Sequence, residues 1–512
     1  MSSEEQELEA NQDSLEEQVS PATVGEVCEA FWRIEQEEDL YNWEVLGVRL
    51  WPLVRFRVFY NLTKNSGTYK WKDSRPLVKP ADYPVWTGTM GHKELWRNIT
   101  GWRWYLRKLI PDSMRDSRVP KWLAATDMIS PFSNRDARGV DRFMQPVIDA
   151  LGDNAIRFGV GSWDRESEWP QIDRFQGIFR KRWGNIASLY VRLKLTKEDY
   201  AKYRRVIAYL EKAARSSAGP YRNFPRWTLR NFMAERHGYR IFFKRVPIKR
   251  LFIVNASRML MMAAAQDSGV KVIELQCGVF SKYNMQFSWP GRPNIPYLPN
   301  EIWTWGQYWT DGIDNSGSQE IVVAGATDEY EAIRERVLRV GAGAANPIQR
   351  VAKTIVVMSQ PLIGGDLFAA SLKLARLLPD YKLVFKPHPK DEQEDFDAAL
   401  AADAANGGGG AMPSNLVMAP DGKTSLELLA ESEICLGVFS ATLIEAAGLG
   451  NRVGILKLAG WEHLSPLING GHAHAFDTVE ELAAGVPSLP NPGDPYYFYG
   501  KRADMGELLR TR

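Results

Sequence analysis

The 512-residue chain contains only three cysteines and six histidines. The cysteines are Cys28, Cys277 and Cys435. They lie far apart and form no CxxC pair, so the sequence indicates neither a disulfide framework nor a zinc cluster. This cysteine content fits a reducing compartment.

Several nucleotide-binding motifs are also missing. There is no GxxxxGK[ST] segment, which excludes a P-loop kinase or ATPase, and no GxGxxG after a first strand, which disfavours a nicotinamide enzyme. The one DxD triplet, Asp395 to Asp397, lies inside a predicted helix. A metal-dependent single-domain sugar transferase is therefore disfavoured.

No window approaches 18 consecutive apolar residues, and Arg258 interrupts the apolar segment VNASRMLMMAAA. The first 18 residues are acidic and polar, unlike a signal peptide, which starts basic and continues apolar. We predict a disordered acidic tail over residues 1–24 and a cytoplasmic protein, with a peripheral position at the inner membrane as a further option.

The net charge of +2 hides a strong asymmetry. Residues 171–250 carry 21 Lys and Arg against 5 Asp and Glu, an excess of 16, so the rest of the chain is net −14. Such a block attracts anions, either nucleic acid, anionic lipid or a polyanionic substrate, unless it only forms helices with solvated basic faces. Residues 94–110 combine Trp and Arg on a predicted helix that suits either a membrane interface or packing against the first domain.

Apolar runs alternate with helical patterns twice along the chain, which predicts two units with parallel sheets. We assign residues 25–330 to an N-terminal Rossmann-like domain on the acceptor side, with helical insertions that include the basic block. Residues 350–480 form a second Rossmann-like domain that binds the nucleotide, and a linker near residues 327–350 joins the two domains. Residues 481–512 are a tail packing back toward the first domain. The fold class is α/β, with a cleft between the domains and an N-terminal helical extension.

Three polar turns follow predicted strands in the two sheets, namely Gln276 to Gly278, Lys386 to His388 and Gly437 to Ser440. Ligands of open parallel sheets bind beyond the carboxyl ends of the strands. The sequence therefore predicts that these turns face one cleft.

The turn KPHP places His388 between two prolines, which fix the backbone and lower the entropy of the turn. An imidazole aimed in this way can donate a hydrogen bond to a phosphate oxygen, and Lys386 can add a charge. The alternative is a surface histidine in a rigid turn.

In GVFSATLIEAAGLG, Gly437 would let the backbone approach a ligand. Ser440 and Thr442 can cap the helix that follows, whose free N–H groups bind anions. Glu445, in the first turns, can meet ribose hydroxyls. The alternative is an ordinary capped helix.

Two further turns are candidates. Backbone amides at Gln276 and Gly278 can hold an acceptor or a phosphate, while the thiol of Cys277 is either a nucleophile or, more in keeping with the absence of a neighbouring histidine, buried and inert. After the first strand of the N-terminal domain, Asp136 or Asp141 can act as a general base, or can simply cap a helix.

The segments ELQCG, EIWTWGQYW, VVAGA, KPHP and GVFSATLIEAAGLG occur in the order found in bacterial surface-polysaccharide transferases of the GT-B architecture. The chain resembles the capsule group that includes Kdo transferases. It is more distantly similar to CDP-glycerol glycerophosphotransferases and bacterial sialyltransferases. NWEVLGVRLWPLVRF also resembles the opening of capsule-biosynthesis proteins. The similarity covers roughly residues 40–60 and 250–470.

The resemblance implies that His388 holds the donor phosphate and that Ser440 and Thr442 also meet phosphate. Gln276 and Gly278 match the family's Q-x-G turn. Many relatives have a histidine between them where this chain has Cys277, which leaves open what that turn does.

We therefore expect a metal-independent glycosyltransferase without a cofactor. Its donor would be a nucleotide sugar, CMP- or UDP-linked, and its acceptor a glycan or lipid-linked glycan of capsule or lipopolysaccharide. An anionic membrane surface is a further expected partner, and nucleic acid is not, because no nucleic-acid-reading motif accompanies the basic block. The alternatives are a CDP-polyol-type polyol-phosphate transferase and a non-catalytic polysaccharide-assembly protein.

Overall fold

The computed structural model describes residues 22–66, 127–130, 143–152, 155–157, 172–254, 259–311, 313–338, 347–360 and 363–512. Most of the tail predicted over residues 1–24 and the whole helix predicted over residues 94–110 lie outside these residues. The described part of the chain contains a small N-terminal hairpin and two six-stranded parallel sheets with helices between their strands.

An N-terminal extension precedes the first sheet. Its elements are α1 (Val24–Glu37), β1 (Glu44–Val45), β2 (Val48–Arg49) and α2 (Leu50–Asn65). Helix α1 begins with a capping box, in which the Glu26 N–H donates to the Thr23 hydroxyl and the Thr23 N–H donates to the Glu26 carboxylate. Leu46 and Gly47 both have positive φ, as a tight two-residue hairpin turn requires. The predicted N-terminal helical extension thus consists of two helices joined through a short hairpin.

The first sheet has the strand order β4-β3-β5-β6-β7-β8, with all pairs parallel. Strands β5, β6 and β7 are buried over nearly their whole length, because their continuous apolar runs are covered on both faces. The elements of this domain are β3 (Asp127–Ser130), α3 (Gln145–Leu151), β4 (Ala155–Arg157), α4 (Ile172–Lys194), α5 (Lys197–Ala214), α6 (Arg226–Phe243), β5 (Arg250–Val254), α7 (Met259–Gln266), β6 (Lys271–Leu275), β7 (Glu301–Thr304), α8 (Tyr308–Asp311) and β8 (Glu320–Val323).

The basic block forms the three long helices α4, α5 and α6. Helices α4 and α6 cross closely at Gly238, where an added Cβ would lie 2.2 Å from the ring of Phe179. A buried carboxylate, Glu235 of α6, is paired with Arg180 of α4. Part of the basic charge is therefore neutralised by an ion pair between these helices.

The second sheet has the order β11-β10-β9-β12-β13-β14, also entirely parallel. Its order reverses between β9 and β12, as in dinucleotide-binding folds. Strand β14, a three-residue strand at the edge of the sheet, was not predicted. The elements are β9 (Val351–Met358), α10 (Gly364–Leu377), β10 (Lys382–Lys386), α11 (Gln393–Ala405), β11 (Leu416–Met418), α12 (Ser425–Glu431), β12 (Ser432–Gly437), α13 (Ala441–Leu449), β13 (Arg452–Leu456), α14 (Ser465–Asn469), β14 (His474–Phe476), α15 (Val479–Gly485), α16 (Pro495–Phe498) and α17 (Met505–Thr511).

The predicted fold class is confirmed: the chain is an α/β protein with two Rossmann-like domains and an N-terminal helical extension, the GT-B architecture. The interdomain segment, read from sequence as a linker over residues 327–350, instead contains a packed helix, α9 (Asp328–Leu338). Tyr330 of this helix is buried and donates a hydrogen bond of 2.9 Å to the carbonyl of Glu445. Across the described ranges, no helix is both long and apolar enough to span a bilayer.

A buried ion pair connects the extension to the segment that follows β6. Arg55 and Glu35 are both fully buried, and Arg55 Nε lies 2.5 Å from Glu35 Oε1. The same guanidinium donates two bonds of 2.7 Å to the carbonyls of Met285 and Ser288. The indole of Trp51 donates to Glu35 as well. This network fixes the chain downstream of the Gln276 to Gly278 turn.

We expect Arg55→Met to destabilise the protein by about 3–5 kcal/mol, because it leaves the Glu35 carboxylate buried without its cation. The change is measured as the shift of the urea unfolding midpoint. The matched control is Arg205→Met, whose exposed side chain pairs with Glu38 at 3.3 Å and should be worth less than about 1 kcal/mol. Equal shifts for the two variants would contradict the structural role of the Arg55 pair.

Candidate functional site

The candidate site lies at the carboxyl edge of the second sheet, where the strand order reverses between β9 and β12. Ser359 and Gln360 follow β9, and Phe439 and Ser440 follow β12. The side-chain oxygen of Gln360 accepts a hydrogen bond of 2.9 Å from the Phe439 backbone N–H. This bond joins two loops at the floor of the crevice that are 79 residues apart in sequence. No local pattern indicates it, so the sequence analysis missed Gln360.

His388 follows β10 and is half-buried. Its Nδ1 accepts a hydrogen bond of 3.1 Å from the backbone N–H of Lys390. Its own backbone N–H donates to Asp391 Oδ2 at 2.8 Å. Because Nδ1 serves as an acceptor, the proton of the neutral ring sits on Nε2, which leaves that nitrogen as a donor.

Burial lowers the pKa of His388 below its ordinary value, and Lys390 lowers it further against the opposing effect of Asp391. The ring is therefore neutral at pH 7 and offers one N–H. Asp391 also packs on the start of α10, where an added Cβ on Gly364 would lie 2.6 Å from Asp391 Oδ1. The turn that carries His388 is thus anchored on a helix as well as by its prolines.

Lys386, the last residue of β10, has its ammonium engaged by the protein. Its Nζ donates a hydrogen bond of 2.9 Å to the carbonyl of Lys423, in the loop before α12. This contact ties the end of β10 to its neighbouring loop. The phosphate-binding role of Lys386 stays a prediction, and binding would have to share the ammonium with this carbonyl.

Ser440 is the N-cap of α13, and its hydroxyl accepts from the Thr442 N–H at 3.3 Å. The Ser440 and Thr442 hydroxyls also share a hydrogen bond. The other end of α13 is closed by Gly450 in the left-handed conformation and by the guanidinium of Arg350, which donates to the carbonyls of Leu449 and Gly450. The helix N-terminus therefore points into the crevice from a fixed position. Arg350, 100 residues away from Gly450, was not identified from sequence.

Two other candidates from the same motif, Gly437 and Glu445, are packed within the second domain. At Gly437 an added Cβ would lie 2.8 Å from Leu443 Cδ1 and 3.2 Å from the Met358 carbonyl, so glycine is required for packing between β9, β12 and α13. Glu445 is 5% exposed within α13. Neither placement gives direct access to a ligand, and the ligand contacts assigned to both residues stay predictions.

On the N-terminal domain, the buried side chain of Gln276 makes two hydrogen bonds within the protein. Its oxygen accepts from the Trp305 N–H at 3.0 Å and its nitrogen donates to the Gly278 carbonyl at 3.0 Å. Gln276 thus shapes its own turn, with Cys277 half-exposed on it. A cavity of about 50 Å³ beside this turn is lined mainly by apolar and aromatic side chains, among them Trp303. It is too small for a nucleotide.

Asp136 and Asp141 lie outside the described residues, so their role as a general base stays a prediction. Of the other predicted site residues, His388, Ser440 and Thr442 lie at the carboxyl edge of one sheet, and Gln276 and Gly278 at that of the other.

The two edges meet through the segment after β6 and the short helix at residues 461–464. The Ser281 hydroxyl lies 3.2 Å from His463 Nδ1. The ring of Phe439 is 5.9 Å from that of His463 and packs against the cores of both domains. The Glu462 carboxylate accepts from the Gly25 N–H at the start of α1, at 3.5 Å. His463 was another residue that the sequence analysis missed.

No protein-family model matches the sequence, and comparison with curated proteins finds no significant match. Solved structures similar to the chain include UDP-GlcNAc 2-epimerase from Neisseria meningitidis bound to UDP-GlcNAc, with 13% identity, 75% of this chain and 99% of that chain covered and a TM-score of 0.40. MurG from Acinetobacter baumannii has 12% identity, 75% and 94% coverage and a TM-score of 0.39. A trehalose 6-phosphate synthase from Burkholderia multivorans has 12% identity, 76% and 93% coverage and a TM-score of 0.36. Similarity at this level carries no argument about activity.

Because His463 is buried at the contact between the domains, the stability of the folded protein should fall in acid. Burial lowers the pKa of His463 to about 4, whereas the unfolded chain protonates this ring near pH 6.5. The stability contributed by the neutral ring is therefore present at pH 7 and is lost as the pH falls from about 6.5 toward 4, by about 3 kcal/mol at most. We expect His463→Asn to have a shallower acid limb in a plot of unfolding midpoint against pH. The exposed His474→Asn variant controls for loss of one imidazole, and an acid limb as steep in His463→Asn as in the parent would contradict the prediction.

Proposed function

We propose that the protein is a glycosyltransferase that moves a sugar from a nucleotide-activated donor to a glycan or lipid-linked glycan acceptor in bacterial surface-polysaccharide synthesis. The proposal rests on the groups found at the carboxyl edge of the second sheet. Here the Nε2–H of His388 and the capped N-terminus of α13 flank the point where the strand order reverses.

The arrangement suits a phosphate ester. The turns after β10 and β12 are two strand spacings apart, roughly 10 Å at the backbone. A neutral imidazole donates one hydrogen bond from one side, and the first N–H groups of a nine-residue helix face the anion from the other. Both groups are held in place before the ligand arrives, which lowers the entropy lost on binding.

In the proposed reaction an acceptor hydroxyl attacks the anomeric carbon of the donor sugar. The new bond joins the acceptor oxygen to that carbon, and the bond from the carbon to the phosphate oxygen breaks. The leaving phosphate gains negative charge, which the His388 N–H and the α13 N-terminus stabilise more strongly than in the ground state. The hydroxyl proton passes to a general base, for which the sequence proposes Asp136 or Asp141.

Polyol-phosphate transfer from a CDP-polyol would use the same phosphate-binding groups and is the main alternative. Incubation with both donor classes separates the two reactions. Product from a nucleotide sugar supports the proposal, and product only from a CDP-polyol overturns it in favour of the alternative.

The proposal is tested by a thermal-shift screen against CMP, CDP, UDP and GDP. We expect one nucleotide to raise the unfolding temperature. We expect His388→Ala to bind it roughly tenfold to a hundredfold more weakly and to lose turnover, because a hydrogen bond to a charged group is removed. His474→Ala, at an exposed position of the same domain, should bind as the parent does. No binding of any nucleotide, or equal binding and turnover by His388→Ala and the parent, would overturn the proposed phosphate site.

A chelator should leave turnover unchanged, because imidazole, hydroxyl groups and helix N–H groups supply the positive potential at the phosphates. Within the described ranges, no group of three or more His, Cys, Asp or Glu side chains is arranged to hold a metal ion. The measurement compares initial rates with and without EDTA. Activity that is lost with EDTA and restored by magnesium would show that catalysis depends on a metal.

A further inference from the structure

Helix α4 has an apolar stripe on its surface. Ile186, Leu189, Tyr190 and Leu193 are 60%, 59%, 46% and 70% exposed. Their spacing of three, one and three residues confines them to an arc of about 100° on the helix. Ala187 and Val191 lie on the other side and are buried. The C-terminal half of α4 is thus apolar on its inner face and, separately, on its outer face.

The concentration of these side chains is unusual for a protein surface. Eleven large hydrophobic residues of the described chain are exposed, and four of them lie within eight residues of this one helix. The other seven are spread over several elements of both domains. Single exposed apolar residues are normal, whereas a contiguous apolar stripe indicates an interaction surface.

The stripe lies toward the end of the first domain at which the candidate site opens. Gly238 of α6 packs on Phe179 of α4, and Arg230 of α6 lies beside Gly184, so the two helices run antiparallel. Helix α6 ends just before β5 and packs its last turns on that strand, so its beginning lies on the side of the carboxyl edge. By this register, the residues of α4 after about 188 extend past the start of α6.

The helix that carries the stripe is basic in sequence, and two of its exposed cations lie beside the stripe. Helix α4 carries six Lys and Arg against one acidic residue, and residues 172–250 carry 21 against 5. Arg192 and Lys194 are exposed and flank the stripe on opposite sides of the helix. Apolar side chains with flanking cations are the pattern of helices that lie in the interface of an anionic bilayer, with the long cationic side chains reaching the headgroups.

We propose that the C-terminal half of α4 docks on an anionic phospholipid membrane through Ile186, Leu189, Tyr190 and Leu193. A second copy of the chain is disfavoured as the occupant, since a two-fold contact would bring two basic surfaces together. The docking itself does not depend on the proposed glycosyl transfer. If that function holds, docking brings the carboxyl edge of the first sheet near the bilayer, where a lipid-linked acceptor resides.

The test is co-sedimentation of the full chain with vesicles. One set is phosphatidylcholine alone, and the other is an equal mixture of phosphatidylcholine and phosphatidylglycerol. We expect the parent to bind the anionic vesicles, more weakly as salt is raised. Leu189→Gln combined with Leu193→Gln should weaken binding about tenfold or more, and Arg192→Gln combined with Lys194→Gln should weaken it similarly.

The matched control is Leu377→Gln, which replaces an exposed leucine on α10 of the other domain and should bind as the parent does. A parent that remains in the supernatant, or a leucine double variant that binds equally well, would overturn the proposal. Sedimentation velocity tests whether a second copy of the chain covers the stripe instead. Membrane docking is overturned if the parent is a dimer that does not bind vesicles and the leucine double variant is a monomer. Nucleotide thermal shifts of the same variants separate this outcome from a failure of the proposed function.

Discussion

Helix α13 is buried along nearly its whole length, from Leu443 to Leu449, so the polar groups at its two ends must be satisfied locally. At the C-terminus, Gly450 in the left-handed conformation and the Arg350 guanidinium meet the last carbonyls. At the N-terminus, Ser440 accepts from the Thr442 N–H through its hydroxyl and from the Leu443 N–H through its backbone carbonyl. The helix cannot shift without exposing or orphaning these groups. Its N-terminus is therefore held rigidly at the switch point of the sheet, and the proposed phosphate site depends on this rigidity.

The same helix also packs against α9, in the segment between the domains. Gly448 leaves room for the Tyr330 hydroxyl of α9, which would lie 2.3 Å from an added Cβ. Tyr330 in turn donates to the Glu445 carbonyl and stacks on Tyr499 at a centroid distance of 4.2 Å. The connection between the domains is thus a packed aromatic contact rather than a free linker. Sequence reasoning predicted a linker because the glycine-rich residues after α9 dominate the local composition, whereas the buried contacts of Tyr330 involve residues more than 100 positions away.

Local patterns were sufficient for most strands of the two sheets and for the turns at their carboxyl edges. Apolar runs of strand length, followed by Gly, Pro or Ser, identify β9, β10 and β12 together with His388 and Ser440. The bonds that orient these turns could not be predicted in this way. Gln360 acts on Phe439 from a different loop, and Arg350 acts on a helix end 100 residues later. Gly437 shows a further limit, because the sequence cannot distinguish a glycine that admits a ligand from one that admits Leu443.

Composition and accessibility also give different information about the basic block. The excess of Lys and Arg is visible in the sequence, but the 3-4 spacing of Ile186, Leu189, Tyr190 and Leu193 is that of an ordinary buried helix face. Only the exposure of these four side chains in the folded chain shows that this face points away from the protein, while Ala187 and Val191 supply the buried side. An apolar stripe that is not needed for folding lowers solubility, and its cationic flanks reduce self-association. A surface with both properties is better matched to an anionic bilayer than to water or to another copy of itself.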